Sequence, residues 1–233
     1  MEEGNRMKIV IFAPHPDDEL IGSGGSLLKW LDEGHEIHLI YVTDNRAMFA
    51  QGHVNDQLIE EDAEKFKGLT EDDIAQIALK EAKEVSKAYG LKRNKVHFFK
   101  IHDQDAKNNI DLGVQLAKEI IYDAERIVLP SDHNPHDDHQ ATHKIVKKAA
   151  QELKLNATEF YVYALYVSIK APRDKILRIK ISDFREKLYE IAQLYKTQLC
   201  FRDTKGAFEY LKKKSSEKFG IFKLRDSGKY YNF

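Results

Sequence analysis

The sequence predicts an α/β fold in which a mostly parallel sheet carries helices on both faces and presents a polar site at its carboxyl edge. Three observations point there. Four short apolar runs, Lys8–Phe12, Glu36–Thr43, Lys95–Ile101 and Arg126–Leu129, alternate with longer stretches whose apolar residues recur at helical spacing, the rhythm of parallel βαβ units. The first run stops at Ala13-Pro14-His15-Pro16-Asp17-Asp18-Glu19. The fourth stops at Pro130 and leads into Ser131-Asp132-His133-Asn134-Pro135-His136-Asp137-Asp138-His139. Right-handed crossovers bring the carboxyl ends of parallel strands to one edge, which is where open α/β sheets bind ligands.

The bounds set by composition agree with an ordinary globular protein. At 233 residues the chain fits a single domain over 1–233, with 1–6 read as a disordered tail and 154–233 as the C-terminal part of the same domain. Lys+Arg 37 against Asp+Glu 38 leaves a net charge of -1, so no electrostatic footprint for nucleic acid is present. One cysteine, Cys200, rules out an internal disulfide and a thiolate metal site, and makes a reducing, cytoplasmic setting the expectation. No run approaches the ~18 apolar residues that would span a bilayer, so no membrane insertion is expected.

Taken in order, Lys8–Phe12 reads as a buried strand. The two prolines and bunched carboxylates that follow cannot continue a central strand, so they form a loop at its end. Gly22-Ser23-Gly24-Gly25-Ser26 opens a helix striped by Leu27, Leu28, Trp30 and Leu31 and closed at Gly34. The Gly-x-Gly-Gly spacing fits neither a dinucleotide fingerprint nor a P-loop, which leaves close packing as the role of these glycines.

Glu36–Thr43 is the second strand. It delivers Asp44, Asn45 and Arg46 to the same edge as candidate substrate contacts, the competing account being an Asx turn beside a solvated arginine. Residues 47–68 read as a long loop or irregular helix over the site. Asp72–Tyr89 is a helix stopped by Gly90, Lys95–Ile101 a strand, Asp111–Tyr122 a helix, Arg126–Leu129 a strand and Gln140–Leu153 a helix. Beyond these, Asn156–Val167 and Lys175–Ile181 read as strands, and Asp183–Leu199 and Gly206–Ser215 as helices. The aromatic residues there read as core in preference to a sugar-stacking platform. The stretch from Phe219 to Phe233 is expected to pack on the body or to serve as a homo-oligomer contact.

The two polar clusters carry the chemistry. A histidine and carboxylates within four residues suit a divalent ion with borderline preferences such as zinc. If both loops end on one edge, His15/Asp18 and His136/His139 converge, and three protein ligands leave a position open for water. The alternative for Asp17 and Asp18 is simple helix capping. His139 and His143 are spaced i, i+4, but His143 falls a turn deeper and reads as packing or as support for a ligand. His133 reads as a solvated loop residue, and His35, His38, His53, His97 and His102 receive no role.

With these clusters quoted, the chain resembles the PIG-L/LmbE-like family of zinc-dependent N-acetylglucosaminyl deacetylases. The resemblance rests on His15-Pro16-Asp17-Asp18-Glu19 and on His136-Asp137-Asp138-His139 in a Rossmann-like order of elements, and it covers roughly residues 8–150. It implies one Zn2+ per chain held by His15, Asp18 and His139, Asp17 as general base, His136 in protonated form stabilising the oxyanion, and Asp138 orienting a histidine. It further implies a small-molecule N-acetylated sugar or sugar conjugate as substrate, with acetate and a free amine as products. One departure touches the substrate: relatives carry a Thr-x-Gly-Glu type of sequence where this chain has Thr43-Asp44-Asn45-Arg46. An amidase acting on a non-sugar substrate, a metal-dependent phosphoesterase and a metal-stabilised binding domain without turnover are the competing readings.

Overall fold

The computed structural model describes residues 6–224. The tail expected over 1–6 therefore lies outside the described residues except for Arg6, which pairs with Glu36. Most of the stretch expected from Phe219 to Phe233 lies outside them as well.

Seven strands form one sheet in the order β3-β2-β1-β4-β5-β7-β6. They are β1 (Lys8–Ala13), β2 (Glu36–Thr43), β3 (Val96–Ile101), β4 (Arg126–Pro130), β5 (Glu159–Tyr163), β6 (Ile176–Lys180) and β7 (Ser216–Phe222). Strands β1 to β5 run parallel, and β7 and β6 extend the sheet in antiparallel pairing. The helices are α1 (Asp18–Asp32), α2 (Met48–Val54), α3 (Glu60–Ala63), α4 (Glu71–Tyr89), α5 (Ile110–Ile121), α6 (Asp137–Glu152), α7 (Arg185–Ala192) and α8 (Arg202–Leu211).

Side chains alternate across a strand, so β1 feeds two cores. Ile9, Ile11 and Ala13 join Leu20, Leu27 and Trp30 of α1, Val85 of α4 and Leu188 of α7. Val10 and Phe12 join Val114 and Ala117 of α5 and Ile145 and Ala149 of α6. Helices thus cover both faces, as parallel sheets require.

Two differences from expectation matter for the site. Helix α1 begins at Asp18 instead of near Gly22, and α6 begins at Asp137 instead of Gln140. Both polar clusters therefore end inside the first turns of helices, where carboxylates are favoured by the helix dipole. The other is β7 (Ser216–Phe222), a strand where the sequence predicts none, its second half falling in the stretch expected to pack on the body or to serve as an oligomer contact. Its Glu217 is buried, pairs with Lys214, and accepts the backbone N–H groups of Gly25 and Ser26. The glycines of α1 serve close approach: a methyl group on Gly22 would meet the Tyr163 ring, and one on Gly25 would meet Ile181.

Candidate metal centre

Strand order reverses direction at β1, since β2 and β3 lie to one side and β4 and β5 to the other. Such a switch point leaves a crevice at the strands' carboxyl ends. The loops after β1 and β4 meet there. Strand β2 secures the first loop, because Thr43 donates through both its backbone N–H and its hydroxyl to the Pro14 carbonyl.

Within the loop, Asp17 adopts φ 116° and makes no capping hydrogen bond to α1. A non-glycine residue rarely holds that conformation. Its N–H donates to Glu19 Oε2 at 3.1 Å, and Glu19, fully buried, also accepts from the Tyr195 hydroxyl at 2.8 Å. The capping account of Asp17 thus lacks its hydrogen bond, and the carboxylate is left beside the cluster.

Asp18 is the focus of that cluster. Its Oδ2 lies 3.1 Å from His15 Nδ1 and 3.3 Å from His139 Nε2, and it accepts the His15 backbone N–H at 2.8 Å. Ligands sharing one tetrahedral ion at ~2.0–2.1 Å stand roughly 3.3 Å apart. The three atoms lie within 4.8 Å of one another and all three residues are buried, so the donor set fits a divalent ion. Burial pulls His139 down to about 4, which keeps its ring neutral and available as a ligand.

The other face of His15 is braced. Its Nε2 lies 3.2 Å from Asp138 and 3.3 Å from Asp103. Asp138, completely buried, also accepts the backbone N–H groups of Gln104 at 2.7 Å and Ala106 at 3.0 Å. Burial opposes its ionisation, but His15 and those two N–H groups hold its carboxyl well below the usual range. A carboxylate behind a ligand imidazole fixes which nitrogen faces the ion.

His136 caps α6. Its Nδ1 accepts the Asp138 N–H at 3.2 Å, and its Nε2 lies 3.1 Å from the Gln104 amide. The Gln104 amide nitrogen can only donate, and it also donates to Asp103 Oδ1 at 3.2 Å, so both ring nitrogens of His136 face donors. Burial lowers this histidine, and nearby His15 lowers it further. Burial raises Asp17 well above the usual carboxylate range, and the charges of Asp18 and Glu19 raise it further.

A cavity of about 230 Å³ opens over these residues. His15, Asp17, Asp18, His136, His139 and Asn45 line it, and Asp138 stands behind His15. Asp44 and Arg46 do not line it. Asp44 holds the Arg46 guanidinium through two bonds of 2.9 and 3.0 Å and accepts the Asp103 N–H, while Arg46 reaches Asp72. The two residues stitch the β2 and β3 loops together, which is where their charge is spent. His143 donates to or accepts from no member of the cluster and instead bonds the Pro130 carbonyl at 2.9 Å. His133 lies 2.8 Å from the Ser168 carbonyl.

Asp103 and Gln104 were missed from sequence. The signal was available, since they directly follow the third strand and so reach the same edge. Tyr166, Gln198, Phe201 and Thr204 also line the cavity. They come from the C-terminal third, where no local pattern marked them.

The comparisons with known proteins agree with this architecture. A family model described as PIG-L: GlcNAc-PI de-N-acetylase matches residues 10–150. Among solved structures, N,N'-diacetylchitobiose deacetylase from Pyrococcus horikoshii, in complex with its inhibitor MPG, matches with a TM-score of 0.73 at 19% identity, over 96% of this chain and 86% of that one. GalB, the 4-carboxy-2-hydroxymuconate hydratase from Pseudomonas putida KT2440, matches with a TM-score of 0.63 at 14% identity, over 94% and 96%. Likeness at those identities speaks for the fold. A glucosamine-6-phosphate deaminase-like protein of Bacteroides thetaiotaomicron is 47% identical over 36 residues, 16% of this chain, and the chain spans only 5% of that protein's length.

Proposed function

Because the chain belongs to the PIG-L family of GlcNAc-PI de-N-acetylases, we propose that it hydrolyses the N-acetyl amide of an acetylated amino sugar, releasing acetate and a free amine. The observation that carries the reading is Asp17. Its carboxylate is buried beside three ligand-type side chains, held in a strained backbone conformation, and not engaged in capping. A purely structural metal site has no use for such a group.

His15, Asp18 and His139 would hold the ion, and two imidazoles with one carboxylate suit zinc. Bound there, it would supply Lewis acidity, making a water more acidic and the acetyl carbonyl more electrophilic. The remaining work falls to the chain. Asp17 accepts the proton of the attacking water as the new C–O bond forms at the acetyl carbon. His136, at the cavity wall, stabilises the carbonyl oxygen as that oxygen gains charge. The C–N bond then breaks, and Asp17 returns its proton to the leaving nitrogen. Asp138 and Asp103 keep His15 oriented, and Asn45 stands at the cavity wall as a candidate substrate contact.

The test is release of primary amine from N-acetylglucosamine and its conjugates by zinc-supplied protein, with Asp17→Asn alongside. Asp17→Asn should retain about one zinc per chain and lose roughly 10²- to 10⁴-fold in rate. Wild-type activity in that variant would remove Asp17 from the proton-transfer role. Water addition to an unsaturated acid, without amide cleavage, would move the chain toward hydratase chemistry on the same fold.

A further inference from the structure

Glu81 is a buried carboxylate that the chemistry above does not use. It lies midway along α4 at 7% exposure and does not line the cavity. Its partner stands 116 positions later. The Thr197 N–H donates to both of its oxygens, at 3.1 and 3.2 Å, and the Thr197 hydroxyl donates to Oε2 at 2.5 Å. Thr197 is itself fully buried. Burying a carboxylate is costly unless donors of this kind meet it, and an apolar pair of similar shape would fill the same space without that cost. What the carboxylate adds is direction, because charge-assisted bonds to the N–H and to the hydroxyl fix the backbone and the side chain of Thr197 together.

Thr197 immediately precedes the single 3-10 turn Gln198–Cys200, and the residues that follow build the cavity. Gln198, Phe201 and Thr204 line it. The same stretch holds the segment after α2. The Cys200 carbonyl accepts the Ile59 N–H at 2.8 Å, and the Gln57 carbonyl accepts the Arg202 N–H at 2.9 Å. A methyl group on Gly52 would meet the Phe201 ring. Gly52 and Gln57 also line the cavity, so a displacement of Thr197 would be felt by walls from two segments.

Two positions before Thr197, Tyr195 donates to Glu19, the carboxylate that also receives the Asp17 N–H. Residues 195–204 are thus anchored on two buried carboxylates from different helices. Glu19 of α1 stands beside the reacting loop. Glu81 of α4 stands behind the groups that would surround a ligand.

We infer that Glu81, acting through Thr197, is a positioning residue for substrate binding: it sets the place of the cavity wall, while the Tyr195–Glu19 contact serves the loop that carries Asp17. The inference rests on the deacetylase reading for the substrate by which it is measured. Its test follows amine release from N,N'-diacetylchitobiose by zinc-supplied protein in Glu81→Gln, Thr197→Val and Thr197→Ser, beside hydrogen exchange of the peptides covering 195–204 and 13–19. Glu81→Gln sets an amide N–H₂ against the donors of Thr197, and Thr197→Val keeps the shape while removing the hydroxyl. Both should raise KM about three- to ten-fold with kcat within about two-fold of the parent. Both should also speed exchange in 195–204 and leave 13–19 unchanged. Thr197→Ser keeps both donors and should keep the parental KM. An unchanged KM in Thr197→Val, or a fall in kcat at constant KM, overturns the inference, and this holds even where Glu81→Gln is too unstable to purify. A lower melting temperature without a change in KM is the signature of a merely structural role. If wild type releases no amine from this sugar, the deacetylase reading loses its support there and exchange alone decides: faster exchange confined to 195–204 sustains the inference, and unaltered exchange overturns it.

Discussion

The backbone N–H of Asp17 donates to Oε2 of Glu19 at 3.1 Å, and the Tyr195 hydroxyl donates to Oε1 of the same carboxylate at 2.8 Å. Glu19 therefore ties the strained loop to a residue 176 positions further along the chain. Glu19→Ala leaves the Asp17 N–H without an acceptor, at about 1–3 kcal/mol, leaves Tyr195 only the Tyr41 hydroxyl as partner, and frees Asp17 to relax from φ 116°. The expected outcome is a lower melting temperature together with a lower kcat at unchanged metal content. A drop in stability alone, with kcat intact, would show that Glu19 does not position Asp17.

Asp138 supports His15 from behind without reaching the cavity. Asp138→Asn turns one of its three acceptor contacts into a donor facing a donor, and should weaken zinc binding by roughly 10- to 100-fold. Competition with a chromogenic chelator measures this directly, and unaltered affinity would dismiss the bracing role. His139→Ala removes one of the three proposed ligands and should abolish stoichiometric binding. Chelation of wild type should also lower its melting temperature, since an ion bound only by the folded state stabilises it by mass action.

Far from the site, where β2 and β3 begin, Glu36 contacts Lys95 and His38, and His38 stacks on His97. Lys95 holds Glu36 down to about 2, burial lowers His38, and burial followed by His38 lowers His97 to about 4. In each case the unfolded chain binds protons that the folded one refuses. Stability from the histidines is thus complete above about 6.5 and lost as pH falls toward 4. That from Glu36 is present above its ordinary 4.5 and lost as pH falls through about 2. Urea titrations at pH 7 and pH 4.5 should separate, and His97→Gln should narrow the gap.

Gly25→Ala presents two opposing effects. Alanine favours a helix interior by about 1 kcal/mol, but its methyl group would stand 2.6–2.8 Å from the Ile181 side chain. Overpacking typically costs about 1–3 kcal/mol, and a β-branched neighbour yields little. The net expectation is destabilisation by about 1 kcal/mol, read as a lower urea midpoint. Ile181→Val in the same protein should recover part of it.

The parallel half of the sheet was legible because its strands are buried on both faces and read as continuous apolar runs between capped helices. Glu36–Thr43 is observed with the bounds its composition suggested, and Gly90 stops α4 at φ 96°. Helix starts were less legible, since Asp18 and Asp137 read as loop residues until the dipole of a helix is considered. Strand β7 escaped notice because Ser216-Glu217-Lys218 carries charge into a strand, and Glu217 is buried only by virtue of Lys214 and the α1 backbone. At the site, local motifs located the histidines and aspartates of both loops. Arg46 illustrates the limit: a solvent-facing arginine and one locked to Asp44 look alike in one dimension.

The isolated bridge between Leu58 and Phe201 has a bearing on how such proteins diversify. The matched family region ends at residue 150, yet Tyr166, Gln198, Phe201 and Thr204 complete the cavity, and Phe201 reaches back to clamp the segment that follows α2. The cavity is thus assembled from the matched region and from the stretch beyond it. Exchanging residues 154–224 between relatives should therefore change the cavity wall, and the rate is kept only where the incoming segment preserves Tyr195, the donor to Glu19, so the later segment drifts under that constraint.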